Sequence, residues 1–135
     1  MHFAEEWTGR FMNDRAPMPA IALCDPTHLT CVSNDFGFEH VFSRMVSALA
    51  SDKDLVLLLS TSGNSPNLLL AAEAARQRGA KLVALLGKGG GKLAPICDLA
   101  IDFPGGRSDR IQELHMQTLH AVIDDVEHRL GFASQ

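Results

Sequence analysis

An α/β fold with a parallel sheet covered by helices on both faces is what these 135 residues predict, on three observations. Strand-like and helix-like segments alternate along the whole chain. Two apolar runs, Leu55–Leu59 and residues 82–86, are continuous rather than alternating, the mark of strands buried on both faces. A polar, serine-rich turn joins the first run to a helix starting at Pro66, and open parallel sheets bind ligands at such strand-to-helix turns. No linker, repeat or low-complexity segment interrupts the pattern, so the expectation is one domain over residues 1–135.

Taken in order, residues 2–13 read as a helix whose end is enforced by Pro17 and Pro19. Residues 20–23 form a short strand candidate. Residues 38–49 have helical spacing, with Val41, Phe42, Met45, Val46 and Leu49 on one side. Residues 66–78 read as a helix, because Pro66 suits a first turn and Gly79 a C-terminal cap. The strand at 82–86 ends in the glycine-rich stretch 87–91, and residues 98–103 form a third, weaker strand. Residues 110–130 read as a long final helix stopped near Gly131. Its apolar residues Ile111, Leu114, Leu119, Val122, Ile123, Val126 and Leu130 cover more than one stripe, which predicts contact with the sheet and with a neighbouring subunit.

Hydrophobic residues make up 46% and charged residues 21%, ordinary for a soluble globular protein. A net charge of −4 with scattered Lys and Arg argues against nucleic acid, which needs a concentrated basic surface. Cys24, Cys31 and Cys97 form no CxxC pair and no even framework; they read as buried small hydrophobes in a reducing compartment. Residues 2–14 are charged and amphipathic, unlike a signal peptide, and the longest apolar run is too short to span a bilayer. The expectation is a cytoplasmic protein with no membrane partner.

The turn Ser60-Thr61-Ser62-Gly63-Asn64-Ser65 offers hydroxyls and backbone N–H groups at a helix N-terminus, a neutral cradle for a phosphate. Gly63 lets the backbone approach closely. The alternative is a plain N-cap cluster, since Ser, Thr and Asn favour helix starts. His2 and Glu6, four apart on one helix face, suit two ligands of one metal or a base with its partner, or else a solvated face. Residues 87–91, with Lys88 and Lys92, look like a phosphate loop but lack its motif spacing. Trp7 and Phe11 read as packing groups on one face, and His28, His40 and His128 have no partners at diagnostic spacings.

Four blocks in order go further. They are His2-Phe3-Ala4-Glu5-Glu6 with Thr8-Gly9-Arg10; Asn34-Asp35-Phe36-Gly37-Phe38 with Phe42-Ser43-Arg44; the serine turn; and Asp109-Arg110-Ile111-Gln112-Glu113 followed by His120. Together they resemble the phosphoheptose isomerases of the sugar-isomerase (SIS) domain family. The resemblance implies a three-layer sandwich, a homotetramer with sites near subunit boundaries, and one Zn²⁺ per site held by His2, Glu6, Gln112 and His120. It implies that Ser60, Thr61, Ser62 and Ser65 hold the phosphate, that Asn34, Asp35, Asp109 and Gln112 meet the sugar, and that Glu6 and His120 are the acid and base. The reaction implied converts sedoheptulose 7-phosphate to D-glycero-D-manno-heptose 7-phosphate, a precursor of lipopolysaccharide and other surface glycans.

Family members begin with a helical segment, a first strand and a Gly-Asn-Gly-x-Ser loop, whereas this sequence starts one residue before the motif histidine. The expectation is therefore a SIS domain partial at its N-terminus, lacking those helices and that strand. Gln112 and His120 are eight residues apart, roughly 12 Å of helix rise and about 80° out of register. Spacing alone would choose His115, and the motif chooses His120. Asn34-Asp35 could instead form a turn and Asp109 an N-cap. A non-catalytic SIS protein, binding a sugar phosphate or a replication initiator, is the alternative function. Glu6, Ser62 and His120 together in one chain favour the enzyme.

Overall fold

The structure is a computed structural model and describes residues 1–132. Two compact units form: Asp25–His115, and Met1–Cys24 together with the chain from Met116 onward. In the first, strands β1 (Leu55–Leu59), β2 (Lys81–Gly87) and β3 (Leu99–Phe103) make a parallel sheet in the order β1-β2-β3. Leu57 pairs with Val83, and Val83 with Leu99. Helices flank the sheet, as the alternating pattern predicts.

Central β2 buries Leu82, Ala84, Leu85 and Leu86, each leucine contributing about 1.5–3 kcal/mol. β1 departs from the expectation of two-sided burial: Leu55 is 60% and Leu59 46% exposed. Among the described residues its ladder has a partner on one side only, so an apolar composition does not become a covered strand.

Helix α2 (Pro26–Phe36) is absent from the sequence reading, although its signals are local. The Asp25 carboxylate accepts from the His28 N–H at 2.7 Å, Pro26 occupies the first turn, and Gly37 follows the end at φ 94°. Asn34 and Asp35 therefore lie in a helix's last turn, not in a free-standing turn. The helix expected over 38–49 breaks into a 3₁₀ turn, Phe38–His40, and α3 (Ser43–Leu49). At the break the His28 ring meets the Val41 carbonyl at 3.0 Å.

Helix α4 (Pro66–Gln77) buries Ala71, Ala72, Ala74 and Ala75, side chains small enough for close packing on α3 and the sheet. Helix α5 (Ser108–Arg129) starts two residues before the expected 110. Asp109 thus sits inside the first turn rather than at the cap, paired with Arg107 at 2.7 Å.

In the other unit, α1 (His2–Thr8) ends well short of residue 13. Gly9 closes it, and Arg15 donates to the Glu6 and Trp7 carbonyls at 2.7 and 3.0 Å, groups that a longer helix would have used itself. Residues 20–23 form no strand; the Cys24 N–H turns back onto the Ala22 carbonyl at 2.9 Å. Leu119, Ile123 and Glu127 form a buried line at i, i+4 and i+8 along α5.

The cysteines are not core residues as expected. Cys31 is exposed on α2 beside Asp35, and Cys24 and Cys97 are half-buried, with burial and then Asp98 pushing the Cys97 thiol up. Among the described residues no helix is long and apolar enough to cross a membrane.

Candidate active site

Helix α1 places His2 and Glu6 one turn apart, and α5 brings His120 to them. Glu6 Oε1 lies 3.3 Å from His2 Nε2 and 3.4 Å from His120 Nε2, and one ligand atom from each of the three residues lies within 4.8 Å of the others. Glu6 is only 6% exposed. Its second oxygen, Oε2, and His120 Nε2 are buried without hydrogen-bond partners. A buried polar atom left in that state costs about 1–3 kcal/mol unless something binds it.

The donor chemistry fits a zinc-class cation. Tetrahedral zinc with bonds near 2.0–2.1 Å sets its ligand atoms about 3.3–3.4 Å apart, which matches both contacts to Glu6 Oε1. The rings are packed as well: His2 meets His120 edge-on at 5.7 Å, and Phe11 stacks on His120 at 5.8 Å. Phe11 lies beyond the end of α1 and borders the cluster, whereas the sequence predicts a packing group on one helix face with Trp7. Trp7 instead meets Phe3 edge-on.

His115, favoured by spacing, goes elsewhere. It is 4% exposed, meets the Leu86 carbonyl at 3.1 Å and packs edge-on against Phe103. Gln112 is exposed on α5, in the part of that helix belonging to the sheet-containing unit.

The serine turn lies at the C-terminal end of β1, in the sheet-containing unit. Ser60 Oγ, 7% exposed, accepts from the Gly63 N–H at 3.0 Å, and Ser62 Oγ accepts from the Asn64 N–H at 3.3 Å. Both hydroxyls keep a proton to donate. Ser65 takes the N-cap position of α4 but its side chain makes no capping bond, contrary to the plain N-cap alternative. Thr61 donates to Ser108 at 3.2 Å, and Lys88 reaches the same hydroxyl at 3.1 Å.

Residues 92–93, just past the glycine stretch, brace this turn. The Leu93 N–H donates to the Gly63 carbonyl and the Lys92 N–H to Asn64 Oδ1, at 3.0 and 3.1 Å. Gly63, at φ 62°, has no room for a Cβ, which would strike the Gly90 carbonyl. Its smallness thus serves the neighbouring loop's approach. Asn34 and Asp35 are exposed at the end of α2, with Asn34 Nδ2 donating to Asp35 Oδ1 at 2.9 Å.

A parallel sheet with a hydroxyl-lined turn after its first strand is an α/β ligand-binding arrangement, and the family model described as SIS domain matches residues 1–87. The chain belongs to the SIS domain family. Within it, the chain belongs to the phosphoheptose isomerases. It is 52% identical over 127 residues to the phosphoheptose isomerase of Fusobacterium nucleatum subsp. nucleatum, covering 94% of this chain and 66% of that one. It is 53% identical over 132 residues to that of Histophilus somni, covering 97% and 68%. The solved structure of phosphoheptose isomerase GmhA from Neisseria gonorrhoeae superposes with a TM-score of 0.87 at 40% identity, covering 94% of this chain and 68% of the other. The chain spans about two thirds of the length of these relatives.

Proposed function

We propose that the chain is an isomerase interconverting sedoheptulose 7-phosphate and D-glycero-D-manno-heptose 7-phosphate. The observation that carries this reading is the buried Glu6 carboxylate between His2 and His120, with Oε2 lacking a hydrogen-bond partner. Kinship with phosphoheptose isomerases supports the substrate. The product would supply heptose for lipopolysaccharide or other surface glycans, in the cytoplasm. Exposed Val122 on α5 and Leu130 just past its end support the homotetramer, with sites near its subunit boundaries.

In this reading His2, Glu6 and His120 would hold one Zn²⁺, with Gln112 as the fourth donor the resemblance implies. The bound cation would polarise the substrate carbonyl and stabilise the enediolate. Glu6, through Oε2, takes the proton from C1 of the ketose and returns it to C2. His120, which would give Nε2 to the cation, moves the hydroxyl proton between O1 and O2 through its other ring nitrogen, Nδ1, so atoms and charge balance across the cycle. Ser60, Thr61, Ser62 and Ser65 donate to the 7-phosphate, and Asn34, Asp35 and Asp109 position sugar hydroxyls.

The test is to incubate the chain with sedoheptulose 7-phosphate, with and without Zn²⁺, and assay for an aldose phosphate. Zinc-dependent appearance of the aldose is expected. Binding without turnover under every metal condition would overturn the enzyme reading and favour a sugar-phosphate-binding protein.

A further inference from the structure

Glu6 and His120 come from opposite ends of the sequence, and α1 is only seven residues long, too short to hold itself in place. Arg15 ties its C-terminal carbonyls down. The guanidinium donates through Nη2 to the Glu6 carbonyl at 2.7 Å and through Nη1 to the Trp7 carbonyl at 3.0 Å. Its Nε donates to Glu127 Oε1 at 2.6 Å, and both side chains of this pair are 0% exposed. Glu127 Oε2 accepts from the Asn13 backbone and side-chain N–H groups at 3.2 and 2.8 Å. Burial alone would raise the Glu127 carboxyl, but the Asn13 and Arg15 hydrogen bonds outweigh it and hold the group below the usual range.

Glu127 follows His120 by seven residues, two turns along the same face of α5. One planar fork therefore ties the backbone of Glu6 to the helix that carries His120. A buried ion pair is often replaceable by apolar residues without loss of stability, so its charge points to a geometric role. Lys could not span a carboxylate and two carbonyls in this way.

We propose that Arg15 and Glu127 are positioning residues of the His2/Glu6/His120 cluster, and that their buried pair sets the Glu6-to-His120 separation and so the cluster's affinity for a zinc-class divalent cation. The inference rests on the metal reading under Proposed function. Metal sites tolerate donor displacements of only about 0.2 Å, and loss of a supporting residue typically weakens binding about 10–100-fold.

The experiment measures Zn²⁺ affinity of the whole chain by competition with a chromophoric chelator, and the visible absorption of its Co²⁺ form. Arg15→Met and Glu127→Gln should each weaken Zn²⁺ by about 10–100-fold and shift the Co²⁺ bands, with Arg15→Lys intermediate. Leu82→Ala, destabilising but remote in the sheet, should keep wild-type affinity while folded. Unchanged affinity in folded Arg15→Met and Glu127→Gln, or equal weakening in Leu82→Ala, overturns the proposal. Failure of both pair variants to fold also overturns it, in favour of a purely structural pair. Wild-type protein that binds no Zn²⁺, or a His120→Ala variant that binds as wild type, overturns the metal reading itself.

Discussion

The serine turn and the His2/Glu6/His120 cluster are built by opposite means. Six consecutive residues make the turn, its groups are neutral, and its own N–H groups and those of Lys92 and Leu93 fix its shape. The cluster joins residues more than a hundred positions apart around a buried carboxylate, and a second buried charge pair supports it. A loop of hydroxyls shares its work among replaceable donors. A buried charged cluster has no such redundancy, because each group left behind is an unpaired polar atom in a dry site.

The largest expected effect follows from that difference. Glu6→Gln and His120→Asn should each lower kcat by at least about 10²-fold, the usual loss when acid–base catalysis is removed. Steady-state kinetics with sedoheptulose 7-phosphate would show it. Near-wild-type kcat in both variants would mean that the cluster is not where the chemistry happens.

Ser62→Ala should act more gently and on a different parameter. One hydrogen bond to a charged oxygen contributes about 1.5–3 kcal/mol, so KM should rise by about 10- to 150-fold while kcat changes little. A loss of kcat as deep as in Glu6→Gln would erase the contrast between the two regions.

The same contrast governs what the sequence discloses. The three paired strands and α4 are legible because their determinants are local: apolar runs, Pro66 at a helix start, Gly79 at φ 76° past its end. Helix α2 is equally local in its determinants, with Asp25 as cap, Pro26 in the first turn and Gly37 as stop, but it lacks the continuous apolar run that marks the strands. The serine turn announces its hydroxyls, but not that Gly63 yields to the Gly90 peptide. His2 and Glu6 reveal themselves by spacing, whereas His120 is named only through the family resemblance, since helix spacing prefers His115. Arg15, Asn13 and Glu127 leave no local trace, because the Arg15–Glu127 hydrogen bond spans 112 positions. Exposure of β1 is invisible in its own five residues, being set by which strands flank it.

The smallest expected effect isolates burial as the cause. Asp125 and Glu127 stand two residues apart on α5, and each meets an arginine at 2.6 Å. The Arg129–Asp125 side chains are 75% and 56% exposed, against 0% for both partners of Arg15–Glu127. Asp125→Ala should cost only about 0.3–0.5 kcal/mol, and less in high salt, because water already screens that pair. Glu127 should show itself through acid instead. Its folded carboxyl is held below the ordinary value, so its contribution is present above the unfolded pKa near 4.3 and lost as pH falls through the folded one. Thermal melts below about pH 4.3 should therefore retain the acid-induced loss in Asp125→Ala and flatten it in Glu127→Gln. An unchanged acid limb in Glu127→Gln, or a cost above about 1 kcal/mol for Asp125→Ala, would show that distance rather than burial decides what these pairs contribute.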